Sequence, residues 1–283
     1  MKVWQVDFYR RPLQDEENRP LWELVVCDLE RESIQMAFCP QPDANSNWLA
    51  RQLQEMGQRT GDRIPDRLEF FRPECQSLLE AAGRNLGIAV EPTRRTPLLK
   101  QVLQQRALEY PQMTEKRVRY SGEDYQPISV YRPAPVPMPE DLQGDRWQFA
   151  SLSAEDLATF GERPIPVRSM PESLLPFNLG LASTLPIPGV IIEGGRRSMQ
   201  LARWLKDVRP VSIQYIAGAP DGIILEAGLV DRWILATFDD PEVARAARTY
   251  QERQEQSRGL HFLLVRPDDS GMTHSGFWLL QPA

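Results

Sequence analysis

Lysine is almost missing from this chain: Lys2, Lys100, Lys116 and Lys206 are all there are among 283 residues, and the histidines are two, His261 and His274. Chemistry that needs a lysine at a set spacing, or a metal held by clustered imidazoles, has little to draw on. Cysteine is scarce as well. Cys27, Cys39 and Cys75 are odd in number and have no C-x-x-C pairing, which excludes a complete disulfide framework and points to reduced thiols. There is no apolar run of membrane-spanning length. Phosphate-loop, dinucleotide and nucleophile-elbow motifs are absent, and no cofactor is implied. Positive charge is not in excess either, since 33 basic against 39 acidic residues leave a net charge of -6. Phosphate affinity comes from neutralising cations, so a nucleic-acid contact must be a local basic patch on an acidic body.

What is present suits a globular α/β protein. Hydrophobic residues are 41% and charged residues 25%, and the length allows two domains with separate cores. The most apolar stretch, residues 222–238, reads as two strands joined by a tight turn at Gly228 to Asp231. A helical pattern follows, then Leu260 to Val265, then the terminal Gly276-Phe-Trp-Leu-Leu.

Near the start, Trp4, Val6 and Phe8 alternate with Gln5, Asp7 and Tyr9, which predicts a half-buried strand. Residues 21–27 and 34–39 predict two more strands about a polar turn. Asn45-Ser-Asn47 can cap a helix carrying Trp48, Leu49, Leu53 and Met56 at helical spacing. A strand at 67–72 stops at Pro73, a helix ends at Gly87, a short strand covers Ala89 and Val90, and Pro97 opens a third helix. The resulting β-β-β-α-β-α-β-α order is that of ribonuclease-H-like folds, an analogy of topology and not of activity. Residues 126–139 carry five prolines and predict an extended linker. We therefore expect a domain over 1–115, a linker over 116–145 and a mixed α/β domain over 146–283. Within the last, a second Pro-rich stretch, 163–188, is expected to wrap a surface. The rest runs in the α-β-β-β-α-β order of restriction-nuclease-like cores.

Four constellations bear on chemistry. Asp7, Glu23 and Glu69 lie on neighbouring predicted strands, where converging carboxylates would hold metal ions for phosphoryl transfer; the plainer alternative is three solvated strand residues. The C-terminal half has acids at Asp221 and Glu226, but Val230-Asp-Arg-Trp-Ile234 lacks the lysine a restriction-type site needs. Arg94 and Arg95 at a helix start, then Lys116, Arg117, Arg119 and Tyr120 with Tyr125 and Tyr131 following, join cations to nearby aromatics as single-stranded RNA requires. Arg196 and Arg197, after two glycines and before a helix, are a further basic cluster able to hold an anion. A solvated charge run is the competing reading of each cluster.

The chain also resembles the Tab family of RNA-binding translation factors of chloroplasts and cyanobacteria. The resemblance rests on Leu21-Trp-Glu-Leu-Val-Val-Cys-Asp28, Phe71-Arg-Pro73, Pro92-Thr-Arg-Arg-Thr96 and Leu142-Gln-Gly-Asp-Arg-Trp147. It continues through Asp231-Arg-Trp-Ile-Leu-Ala-Thr237, Gly259-Leu-His-Phe262 and Gly276-Phe-Trp-Leu-Leu-Gln281, so it spans the chain in order. It implies a non-enzymatic factor that binds single-stranded RNA, in the 5' region of a messenger, and promotes translation and biogenesis of photosystem I subunits, with photosystem II subunits as an extension. Translation or photosystem-assembly proteins would be its partners. Trp278, Leu279 and Leu280 correspond to the family's C-terminal Trp-Leu-Leu. The strand pattern starting at once after Met1 leads us to expect no transit peptide and a cyanobacterial, cytosolic protein, thylakoid-peripheral at most. A metal-dependent nuclease built on Asp7 and a pure assembly scaffold are the alternatives.

Overall fold

A computed structural model describes residues 1–59, 64–113 and 118–282. The chain divides into two compact units, Met1–Tyr131 and Arg132–Ala283. The Pro-rich stretch expected as a linker is shared between them at Tyr131.

Unit 1 begins with β1 (Val3–Gln14), β2 (Pro20–Asp28) and β3 (Ser33–Pro40), which are antiparallel neighbours. Short Asp side chains fold the turns: Asp15 Oδ1 accepts from the amides of Glu17 and Arg19, and Asp28 Oδ1 from that of Glu30. Asn45 Oδ1 accepts from the amides of Asn47 and Trp48 and so starts α1 (Ser46–Arg59) as expected. The chain returns through β4 (Arg67–Phe70), α2 (Gln76–Leu86), β5 (Ala89–Pro92) and α3 (Pro97–Glu109). Gly87 stops α2 with φ +69°, a conformation costly for any residue with a Cβ. β4 and β5 run parallel to β1, and the main sheet order is β3-β2-β1-β4-β5, with β6 (Arg119–Tyr120) pairing the far end of β1.

The expectation that β1 is half-buried needs correction. Trp4, Val6 and Phe8 are buried toward α1, where Phe8 stacks on Trp48 at 5.4 Å. Gln5 and Asp7 are buried too, because α3 covers the opposite face; Gln5 Oε1 accepts from the Leu99 amide at its first turn. A central strand between helical layers has no solvated side.

Unit 2 starts with β7 (Val136–Pro137), β8 (Arg146–Ser153), α4 (Ala154–Phe160), β9 (Val167–Ser169), β10 (Pro186–Glu193) and α5 (Ser198–Val208). Then come β11 (Pro210–Ile216), β12 (Asp221–Ala227), β13 (Asp231–Phe238), α6 (Pro241–Gln256), β14 (His261–Arg266) and β15 (Gly276–Leu280). The order α-β-β-β-α-β is therefore present along the chain. In space β11, β12 and β13 form one sheet with β7, whereas β14 lies in a second, ordered β8-β10-β14-β15-β9.

β14 and β15 are the spine of this second sheet. Leu263, Val265, Trp278 and Leu280 join one apolar cluster with α5 and β12, while Phe262, Leu264, Phe277 and Leu279 join another on the opposite face. Strand alternation thus buries every side chain of the terminal segment. The second cluster also contains Ile165, Val167, Leu174 and Ile187, so the stretch 163–188 does more than wrap a surface. Its prolines hold an irregular path while the apolar residues between them cover a sheet face. Gly276 has its own reason: a Cβ there would collide with the indole of Trp278.

His261 locks the two sheets of unit 2 together. Its Nε2 accepts from the Ile213 amide of β11 at 2.8 Å, and its Nδ1 lies 2.8 Å from the Gly259 carbonyl, so Nδ1 carries the proton. Burial drives its pKa down to about 4, opposed only in part by the bond to Gly259. An unfolded imidazole titrates near 6.5, so the unfolded chain takes up the proton first as pH falls from about 6.5 to about 4. Stability is full above this window and lost across it, by about 3 kcal/mol if the whole shift is expressed. Urea unfolding at a series of pH values should show that loss, and His261→Gln should flatten it. Trp278→Ala should cost about 3–5 kcal/mol in the same assay, and a variant that melts like the parent would contradict a core role for β15.

Candidate nucleic-acid interface

The charged centre of unit 1 is a ladder of arginines and carboxylates between β1, β2 and α3. Asp7 of β1 and Glu23 of β2 project beneath α3, and Arg11 bridges them: Nη2 donates to Asp7 Oδ2 at 2.8 Å and Nε to Glu23 Oε2 at 3.0 Å. All three side chains are fully buried. Arg72, just past β4, donates to Asp7 Oδ1 at 2.9 Å, and Arg106 of α3 donates through Nε and Nη2 to Glu23 Oε1 at 3.1 and 2.5 Å. The Tyr110 hydroxyl gives Glu23 Oε2 a further bond at 2.5 Å. Every oxygen of the two acids therefore has a guanidinium or phenol donor.

Electrostatics agree with the geometry. Burial opposes the Arg11 charge, yet Asp7, Tyr125, Tyr110 and Glu23 together hold its pKa well above the ordinary arginine value. Burial pushes the Tyr110 phenol up, which keeps it the donor toward Glu23. Arg72 also lies 4.2 Å over the Tyr9 ring. Its remaining nitrogens donate to the Ser129 and Pro127 carbonyls, and Arg11 Nη1 donates to the Tyr125 hydroxyl at 2.6 Å. The arginines thus fasten residues 125–129 onto unit 1. Over them lies a cleft of about 370 Å³ whose walls include Tyr9, Tyr131, Glu74, Glu123 and Asp124, with Arg10 held by Glu123 at 2.6 Å. Its acids make it a poor seat for phosphate.

The carboxylates considered for a metal are placed as follows. Asp7 and Glu23 converge, but on Arg11. Glu69 is engaged elsewhere, 3.1 Å from Arg67 and within reach of the Gln5 amide. In unit 2 the buried Glu226 meets Arg132 at 3.4 Å and Arg232 at 3.7 Å. Among the described residues no group of three or more His, Cys, Asp or Glu side chains is arranged to hold a metal ion. The thiols are buried and free, and burial raises the pKa of Cys27 and Cys39 to about 12.

The basic candidates scatter. Arg94 is buried, its carbonyl accepting from Lys100 Nζ at 2.6 Å, and Arg95 is half-buried with its pKa lowered by that burial. Lys116 and Arg117 lie outside the described residues. Arg119 and Tyr120 are exposed on β6, with Arg119 donating to Asn18 and the Glu16 carbonyl at the acidic β1–β2 turn. Arg196 and Arg197 are exposed before α5, where Arg197 comes within 3.5 Å of Asp145. Asp145 also sits against Gly195, so the chain's own carboxylate stands where an anion would approach. Trp278, Leu279 and Leu280 are buried in β15. Sequence reading missed Arg11, Arg72, Arg106 and Tyr110, and took Tyr125, which Arg11 holds, for an aromatic of the RNA cluster; the visible signal was Arg11 four residues from Asp7, on the same strand face.

Comparison with known proteins defines the class. A family model described as the N-terminal domain of the RNA-binding protein Tab2/Atab2 matches residues 3–106, and one for its C-terminal domain matches residues 125–281. The chain belongs to the Tab2/Atab2 family of RNA-binding proteins. It is 29% identical over 286 residues to the chloroplastic protein TAB2 homolog of Arabidopsis thaliana, covering 99% of this chain and 74% of that one. To the Zea mays homolog it is 27% identical over 285 residues, covering 99% and 71%. The catalytic core domain of HTLV-2 integrase in complex with magnesium superposes with a TM-score of 0.27 at 13% identity, over 40% of this chain and 76% of that one, too remote to bear on function.

Cutting one partner out of the buried ladder leaves a charge unpaired. Glu23→Gln should therefore lower the unfolding free energy by about 3–5 kcal/mol, read by urea denaturation. A loss of about 0.5 kcal/mol, as a surface change gives, would mean the ladder is not dry.

Proposed function

We propose that this chain is a non-enzymatic factor that binds single-stranded messenger RNA and promotes translation and biogenesis of photosystem I subunits, and by extension of photosystem II. Membership of the Tab2/Atab2 family over both units carries the reading. Whole-chain similarity to two chloroplastic TAB2 homologs supports the link to photosynthesis. The engagement of Asp7 and Glu23 by arginines favours binding over cleavage, because phosphoryl transfer with metal ions needs carboxylate oxygens open to the cation. The strand order of unit 1 supports a ribonuclease-H-like scaffold put to this use. Buried free thiols suit a reducing, cytosol-like compartment, and no described helix is long and apolar enough to cross a membrane.

Contacts to RNA would fall to the exposed cations, Arg119, Arg196 and Arg197, with Lys116, Arg117 and Arg95 as further candidates and Tyr120 to stack on a base. An assembly partner has a surface of a different kind: Ile34, Met36 and Phe38 alternate outward on the outer strand β3, beside exposed Leu108 of α3.

Purified protein should bind single-stranded RNA in fluorescence anisotropy and leave RNA and DNA uncut in magnesium or manganese. Replacing Arg119, Arg196 and Arg197 by Ala should weaken binding and reduce the log–log salt slope by roughly 0.7 for each phosphate that is no longer neutralised. Metal-dependent cleavage would overturn the reading, and an unchanged slope would place the RNA on other cations.

A further inference from the structure

In unit 2 the end of α4, the start of β9 and the loop before β15 bring Arg163, Arg168 and His274 around Phe160. The Arg163 guanidinium lies 4.3 Å over the Phe160 ring, and the His274 ring meets the same ring edge-on at 5.5 Å. Phe160 is itself stacked on Phe277 at 4.9 Å, and Phe277 is a wholly buried residue of β15. The phenyl ring is thus a fixed shelf, and cation–π attraction keeps the exposed guanidinium on it. Arg168 stands opposite Phe277 in the β9–β15 register and donates to the Gly161 carbonyl, which turns it toward the same loop.

The charge here is less compensated than at Arg119 or Arg197. Arg163 and Arg168 are exposed, and neither forms an ion pair among the described residues. Arg119, by contrast, rests on an acidic turn and Arg197 faces Asp145. His274 reports the local field. Burial first, then Arg163 and Arg266, depress its pKa, and no acid offsets them. Arg266, at the end of β14, is held by Glu193 at 2.7 Å and acts on Asp268, so the uncompensated neighbour is Arg163.

We propose that Arg163, Arg168 and His274 form a phosphate-binding site, which in this protein takes a phosphodiester group of single-stranded RNA. The identity of the ligand rests on the function proposed above, whereas the site rests on its own geometry. Two guanidiniums supply donors in a planar fork, and an imidazolium supplies a further N–H once protonated. A phosphate placed among them favours the charged imidazole. Binding therefore takes up a proton and tightens as pH falls through the His274 midpoint.

The scarcity of histidine makes the test direct. His261 is buried and titrates near 4, so the imidazole signal that moves at higher pH belongs to His274; His274→Asn should remove it. That signal is followed by NMR across pH in the whole protein, alone, with inorganic phosphate, and with a mixed-sequence single-stranded RNA. In parallel, RNA affinity is measured against salt for the parent, Arg163→Gln and Arg163→Lys, with melting curves to verify folding. RNA should raise the His274 midpoint by about one unit. Arg163→Gln should abolish most of that rise and reduce the salt slope by roughly 0.7, and Arg163→Lys should restore the slope. RNA binding with an unmoved His274 and an unaffected Arg163→Gln variant would overturn the site and leave the RNA function standing. Absence of RNA binding with a midpoint moved by phosphate would overturn the RNA ligand and the proposed function, leaving a site for free phosphate. A midpoint moved by neither would overturn the site outright.

Discussion

Arg11 holding Asp7 and Glu23 apart is the constraint on which unit 1 depends. Two carboxylates on adjacent central strands under a helix would repel each other and carry a heavy desolvation cost. A guanidinium between them converts the repulsion into two charge-assisted bonds, and Arg72 and Arg106 balance what remains. The geometry needs arginine. Lysine offers a point charge with no planar fork, so it cannot bridge two carboxylates on neighbouring strands while donating to a phenol as well. The near absence of lysine, with all but four of 33 basic residues being arginine, fits a chain that uses its cations as structural connectors. Glu226 with Arg132 and Arg232 repeats the device in unit 2.

Much of the fold was legible because it follows from local periodicity. The strand and helix order of unit 1 came from alternation, from the Asn45 cap and from stops at Pro73 and Gly87. The burial of β15 came from four bulky apolar residues with a natural neighbour in β14. What could not be read was anything set by packing across the sequence. Asp7 looked solvated because its strand alternates, and alternation cannot reveal that α3 covers the polar face. The ladder joins positions 7, 11, 23, 72, 106, 110 and 125, none of which is close enough to the whole set to make a motif. The stretch 163–188 misled for the opposite reason. Its prolines signalled an irregular path, which is right, and concealed that Ile165, Val167 and Leu174 between them reach the core.

The basic candidates failed to gather for a related reason. Runs such as Thr93-Arg-Arg-Thr96 stand out in a sequence, yet a run of cations says nothing about where each side chain ends. Arg94 turns inward, Arg119 meets an acidic turn, and Arg197 meets Asp145. Arg163 and Arg168 belong to no run, and their significance appears only when β9 and the His274 loop are brought beside Phe160.

Arg11, Arg72 and Arg106 in unit 1, and Arg132 and Arg232 in unit 2, are committed to buried acids and are not free for phosphate. With RNA as its ligand, nonspecific affinity would be small, since that term scales with the phosphates neutralised. On a body of net charge -6, long-range attraction to a polyanion is also weak. Binding strength would then have to come from base stacking and base-edge hydrogen bonds, contacts that distinguish one sequence from another. An acidic body whose cations are scattered thus pushes the surface toward selectivity, with the cations setting register and the bases supplying the choice.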